Sequence, residues 1–167
     1  DGGDRNQPAT ERDANRIANR LGKLCKHYDE AGFITFEAYD FKGNLRDKRR
    51  QVIRDDVVLS PAGLPVDWSD PIPDVLEQAV HAASTAYDAL NRVKAMKYPQ
   101  DVDGARKELR PRYNHAGALE SVALDGVTYV ERIAYSAKGQ RTLIAYGNGL
   151  MTRYAYEDGQ LWLCVMP

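Results

Sequence analysis

Cysteine is nearly absent from this chain: Cys25 and Cys164 are the two in 167 residues. A pair so far apart specifies neither a disulfide framework nor a metal site. Both are read as free, part-buried thiols, because reduced Cys packs as a small hydrophobe. Long apolar runs are missing too, and nothing approaches the ~20 residues that a membrane helix needs. The opening Asp1-Gly2-Gly3-Asp4 lacks the basic-then-apolar pattern of a signal peptide. It also lacks Met, so a processed product or an excised piece is expected. Charge of neither sign dominates, with 23 basic and 24 acidic residues and a net charge of -1. No electrostatic footprint for nucleic acid therefore exists.

Chemistry-bearing constellations are equally scarce. His27, His81 and His115 stand at no ligand spacing from one another or from Cys. No nucleophile elbow or triad motif accompanies any Ser, Cys or Thr. Asp101-Val102-Asp103-Gly104 resembles the start of a calcium loop, but alignment on Gly104 puts Pro99 and Arg110 where the two essential acids belong. It reads as an Asp-rich turn. Gly147-Asn148-Gly149 opens no helix and reads as a hairpin turn rather than a phosphate cradle. Arg46, Lys48, Arg49, Arg50 and Arg54 form a basic run interrupted by Asp47. It lacks the interleaved aromatics of a nucleic-acid patch and is expected to protect a sheet edge. These absences lead us to expect no catalytic residue, no metal and no cofactor.

What the chain has is tyrosine, ten residues against three Phe, set in a repeated phrase. Tyr is followed by Asp or Asn and then by a turn containing Gly or Asn. The copies are Tyr28-Asp29-Glu30-Ala31-Gly32, Tyr39-Asp40-Phe41-Lys42-Gly43, Tyr87-Asp88-Ala89-Leu90-Asn91 and Tyr113-Asn114-His115-Ala116-Gly117, with Tyr135-Ser136-Ala137-Lys138-Gly139 as a variant. Tyr146-Gly147-Asn148-Gly149 and Tyr156-Glu157-Asp158-Gly159 echo it. A turn at each copy, with strand-like residues between copies, describes a stack of β-hairpins. Asp-Gly, the strongest short hairpin signal, occurs at Asp125-Gly126 and Asp158-Gly159. A ladder of Tyr on one face could stack on sugars or fix cross-strand register, and register is the reading preferred.

The expected fold is therefore mainly β: an antiparallel hairpin stack with one short helix in an inserted segment around 74–84. Residues 1–20 read as a mobile segment, with a short helix over Ala9–Asn15. First hairpins occupy 21–59, with strands near 23–28, 33–39 and 45–58. A Pro-rich insertion follows at 60–84, where Val75, Leu76, Ala79 and Val80 share a helical face. Residues 85–167 hold the second hairpin set, with strands at 85–88, 92–98, 106–113, 118–124, 127–135, 140–146, 150–156 and 160–166. The last is apolar on both faces, through Trp162, Cys164 and Met166 on one and Leu161, Leu163 and Val165 on the other. It should be covered on both.

The phrases Thr85–Val93, Tyr113–Leu119 and Ala145–Tyr154, with His27–Gly32 and Phe36–Asn44, resemble RHS repeats, also called YD repeats. The resemblance covers roughly residues 20–160 and is similar to the shell-forming components of insecticidal toxin complexes and polymorphic toxins. It implies a β-ribbon that spirals into a hollow shell around a C-terminal toxin. It implies a bacterial parent, secreted or delivered by a secretion system. The family's self-cleavage site has no match here, and 167 residues hold too few repeats to close a shell. A non-catalytic scaffold segment is expected, with Tyr28, Asp29, Gly32, Tyr39, Asp40, Gly43, Tyr87, Asp88, Tyr113, Asn114, Gly117, Tyr135, Gly139, Tyr146 and Gly149 as structural marks of the repeat. Expected partners are the rest of such a shell or a second copy joined through sheet edges, and an encapsulated toxin domain. No nucleic acid and no membrane span are expected. The alternative is a separate β module that binds carbohydrate or a protein.

Overall fold

The computed structural model describes residues 6–60, 66–69 and 74–156 in full and the backbone of 163–166. These residues fall into two compact units, Asp1–Ala86 with Tyr98–Arg106, and Tyr87–Lys97 with Lys107–Pro167. The architecture is antiparallel β, and within each unit sheet neighbours are chain neighbours.

The first unit opens with helix α1, Ala9–Ile17, which carries Glu11 in its first turn and Arg16 in its last. That charge order suits the helix dipole. Just past α1, the Ala18 carbonyl accepts from the Tyr39 amide at 2.9 Å and Asn19 Nδ2 donates to the Tyr39 carbonyl at 3.1 Å. Strands β1 (Lys26–Asp29), β2 (Gly32–Tyr39) and β3 (Leu45–Val52) then pair in order. Tyr28 and Phe33 face each other across β1 and β2 with ring centroids 5.6 Å apart, and Trp68 lies 5.3 Å from Tyr28.

Two expectations fail in the stretch that follows. The third strand does not run to Val58: it ends at Val52, and Asp55–Val58 form a short helix, α2, with Asp55 and Asp56 in its first turn. The helix expected around 74–84 is absent as well. Leu76 bridges to Ile53, the Arg54 amide donates to the Val75 carbonyl, and the Glu77 amide donates to the Val52 carbonyl. His81–Tyr87 is then strand β4, paired with β3 through Arg50↔His81 to Asp47↔Ser84. Pairing along β3 satisfies the backbone groups that a helix would have satisfied internally, so tertiary context overrides a weak local propensity. The described part of the inserted segment continues the pairing of β3.

The second unit contains most of β5 (Val93–Gln100), then β6 (Arg106–Tyr113), β7 (Leu119–Leu124), β8 (Val127–Tyr135), β9 (Arg141–Tyr146), β10 (Met151–Tyr156) and β11 (Leu163–Met166). From β6 onward each strand pairs antiparallel with the next. Asp125 and Gly126 both take positive φ, 49° and 80°, as a type I′ hairpin requires. Side chains of 160–166, and the Asp158-Gly159 turn, lie outside the described residues.

Apolar burial is sparse. Among the described residues the buried apolar side chains are Ile53, Ile133 and Ile144, with Ile133 and Ile144 directly opposed across β8 and β9. With so little buried apolar surface, the strands depend heavily on what joins them at their ends.

Candidate functional site

The strand ends carry one construction repeated five times, at Asp40, Asp88, Asp101, Asn114 and Ser136. In each, the amide of this first residue donates to the carbonyl four residues on, and the amide three residues on donates back to its carbonyl. The side-chain oxygen fills the centre of the loop. Asp40 Oδ1 accepts from the amides of Lys42 and Asn44 (2.9 Å each), Asp88 Oδ1 from Leu90 and Arg92 (2.8 and 3.0 Å) and Asp101 Oδ1 from Asp103 and Ala105 (3.0 and 3.1 Å). Asn114 Oδ1 accepts from Ala118 at 3.0 Å, and Ser136 Oγ accepts more distantly from Lys138 and Gln140, at 3.3 Å each. The fourth residue has positive φ, as with 87° at Gly43 and 61° at Asn91. Glycine and, less readily, Asn tolerate that backbone, which is the three-residue hairpin loop with a bulge.

These bonds act on the carboxylates. Backbone donation from Arg92, together with its guanidinium and the Leu90 amide, holds Asp88 below the ordinary Asp value despite partial desolvation. At Asp40 desolvation is the largest influence and pushes upward. The combined donation from the Asn44 side chain and from the Asn44, Lys42 and Gly43 amides outweighs it.

The Tyr before the turn makes a second, longer connection. Tyr113, at the end of β6, donates its hydroxyl to the carbonyl of Val93, the first residue of β5, at 3.0 Å. Tyr135 at the end of β8 does the same to Leu119 at the start of β7, at 2.8 Å. Tyr156 at the end of β10 does it to Arg141 at the start of β9, at 2.8 Å. Each acceptor directly follows the preceding turn, so the hydroxyl staples one turn to the one before it on the same side of the sheet. In the first unit Tyr39 reaches the Leu24 carbonyl at 2.7 Å. Burial, with Cys25 nearby, raises the Tyr39 hydroxyl above its ordinary value, which keeps it a donor. Arg92 strengthens one staple further: it pairs with Asp88 at 2.7 Å while its guanidinium carbon lies 4.5 Å from the Tyr113 ring centroid.

Comparison with known proteins places this geometry. No protein-family model matches the chain. It is 24% identical over 148 residues to the toxin subunit YenC2 of Yersinia entomophaga, an alignment covering 83% of this chain and 14% of that one. The crystal structure of TcdB2-TccC3-Cdc42 superposes with a TM-score of 0.76 at 23% identity, over 93% of this chain and 7% of the other. A Tc holotoxin pore from Photorhabdus luminescens superposes at 0.74 and 23% identity, over 92% and 7%. The chain is similar to RHS-repeat toxin-complex subunits. It spans a small fraction of their length.

Within this RHS-like frame not every copy of the phrase is built alike. In Tyr28-Asp29-Glu30-Ala31-Gly32 the loop is two residues, with Asp29 paired to Gly32, and Asp29 Oδ1 accepts from the Ala31 amide at 2.9 Å. Gly32 is there for close approach: a Cβ on it would lie 2.1 Å from the Gln51 carbonyl oxygen. At Tyr146 the turn begins one residue earlier, so Tyr146 itself occupies the capping position and Asn148 Oδ1 accepts from Leu150. Asp101 is the converse, a full capping turn with Gln100 where Tyr stands elsewhere. Sequence reading set the Asp101 loop apart, although its cap-to-glycine spacing, Asp101 to Gly104, equals that of Asp40 to Gly43. It also passed over Arg92.

The basic run sits differently from its expected place. β3, which carries the basic run, is paired on both sides by β2 and β4, so it is not a protected edge. Among the described residues no group of three or more His, Cys, Asp or Glu could hold a metal ion. Among the described residues no helix is long and apolar enough to cross a membrane. An open groove is lined by Leu119, Ile133, Tyr135, Arg141, Tyr154 and Tyr156. The hydroxyls of Tyr135 and Tyr156 there are already donated to backbone carbonyls.

Proposed function

We propose that this chain is a non-catalytic segment of an RHS-type toxin-complex shell, whose full-length parent encloses a toxin and delivers it to a target cell. The mechanism is mechanical. Backbone ladders carry the ribbon, capped turns fix where each strand reverses, and Tyr hydroxyls tie successive reversals together. Tyr39, Asp40, Asp88, Tyr113, Asn114, Tyr135 and the glycines at the positive-φ positions serve as register marks in this reading. Its partners are neighbouring repeats of the same shell and the enclosed cargo.

The observation that carries the proposal is the pairing of a toxin-subunit likeness with staples that a ribbon of repeats needs and a catalytic site does not. The test is a graft. This chain replaces its matching slice in a toxin-complex shell subunit, and protection of the enclosed C-terminal region is read by limited proteolysis. Retained protection is the expected result. Loss of protection in a graft that keeps its β-rich circular dichroism would count against a shell role.

A further inference from the structure

The basic run needs an explanation that edge protection no longer provides. A central strand is ordinarily apolar on at least one face, yet β3 reads Leu45-Arg46-Asp47-Lys48-Arg49-Arg50-Gln51-Val52. Two of its cations are internally compensated. Arg49 Nε meets Glu37 Oε1 at 3.0 Å, and one Arg50 amino group reaches both Asp29 oxygens, at 2.9 and 3.1 Å. The other two are not: among the described residues Arg46 and Lys48 make no ion pair, and both are exposed.

Geometry groups the uncompensated charges. Strand alternation places Lys48 on the same face as Arg50, whose cross-strand row runs His27, Ile34, Arg50, His81. Lys48 itself sits between Phe36 and Ala83. Arg46 is the extra residue of a bulge, where Ala38 faces Asp47 and Tyr39 faces Leu45. A bulge re-aims a side chain, and this one leaves Arg46 in solvent. Arg46 and Lys48 are two residues apart, so their Cα atoms lie within about 7 Å, a separation that alternate residues of an extended peptide laid alongside can match.

We propose that Arg46 and Lys48 form a docking stripe for an extended acidic polypeptide segment whose alternate residues are carboxylates. Charge complementarity selects the occupant. Asp29 is taken by Arg50, and among the described residues no carboxylate forms an ion pair with Arg46 or Lys48. A nucleic acid fits less well, because two free cations give few phosphate contacts and no aromatic side chain alternates with them along β3.

The test is fluorescence anisotropy with a labelled peptide of alternating Glu and Ser, measured on the full chain. Binding should be seen at about 0.01 M salt, where the screening length is ~30 Å, and should weaken severalfold at about 0.15 M, where it is ~8 Å. The double variant R46E/K48E should weaken binding by roughly tenfold or more, each lost contact being a single exposed ion pair turned repulsive. K138E, a single charge reversal on an exposed turn tip of the second unit, should leave it unchanged, whereas K48E, a reversal of equal size, should weaken it. If R46E/K48E loses its β-sheet circular dichroism, R46Q/K48Q takes its place and should weaken binding less but in the same direction. No binding at low salt, equal loss in K138E, or tighter binding of an oligothymidylate of equal charge would each overturn the proposal.

Discussion

Replacing Tyr135 by Phe removes one oxygen and, with it, the 2.8 Å bond to the Leu119 carbonyl, while leaving the ring in place. The change therefore isolates the staple from packing. A neutral hydrogen bond contributes about 0.5–1.5 kcal/mol net, and an acceptor left without its donor costs the upper part of that range when water cannot reach it. Leu119 is half-buried, so about 1 kcal/mol is expected. With a urea dependence of ~1–3 kcal/mol per molar, the midpoint should fall by about 0.3–1 M. Tyr129→Phe is the matched control: the same atom is deleted from a residue that is 56% exposed, so no measurable change is expected. Amide exchange adds a spatial readout. If the hydroxyl ties successive turns, Tyr135→Phe should speed exchange in the Asn114–Ala118 turn as well as in Ser136–Gln140. A midpoint shift no larger than that of Tyr129→Phe would refute the staple, whatever the repeat looks like in sequence.

Acidification offers a second test. The Asp88 carboxyl is held below its unfolded value, so its contribution is present above the ordinary Asp range and is lost as pH falls through the lowered folded value. The thermal midpoint should drop below about pH 4, and Asp88→Asn should flatten that part of the profile. Glycine replacements should separate two causes. Gly139→Ala, at φ 76° with nothing within 4 Å of the new Cβ, should cost about 1–2 kcal/mol by denaturant melts. Gly147→Ala would put its Cβ 1.8 Å from the Thr128 carbonyl oxygen, so it should cost more and shift the register between β8 and β9, visible as altered cross-strand NMR contacts. Ile144→Ala, deleting one of the buried pair, should cost about 2–4 kcal/mol, whereas Val127→Ala, at 62% exposure, should be near neutral.

Much of the fold was legible because turns, unlike helices, are signalled by single residues. Asp125-Gly126 dictated a type I′ turn that the backbone adopts, and the strands expected at 106–113 and 127–135 have those bounds. The insertion was not legible, for a definite reason. Val75, Leu76, Ala79 and Val80 do lie at helical spacing, but the free side of β3 offers Val52 and Arg54 as backbone partners, and no local pattern reports a partner more than twenty residues away. Similarly, a strand rich in Arg and Lys reads as an edge until its second neighbour is known. Of the candidate site, the caps were visible as Tyr-Asp and Tyr-Asn. The staples were not, because the acceptor of each hydroxyl is a backbone carbonyl, which carries no residue signature.

The staples also explain the uneven spacing of the Tyr residues. Tyr113, Tyr135 and Tyr156 follow one another at 22 and 21 residues, the length of two strands and two turns, and each closes a strand running in the same direction. Tyr146 falls midway, at the reversal on the other side, where the Tyr is displaced by one position and becomes the capping residue. Asp101, also at a reversal following an odd-numbered strand, caps without any Tyr before it. The stapled hairpins thus have two unlike ends: one carries the Tyr staple, and the other reverses without it, with a cap at Asp101. Strand pairing alone does not impose that asymmetry, since Tyr146 also finishes beside the start of its preceding strand, opposite Val130; what differs is that Tyr146 occupies the capping position itself. With three buried isoleucines among the described residues, the strands gain order from ties of this kind, at Tyr39, Tyr113, Tyr135 and Tyr156.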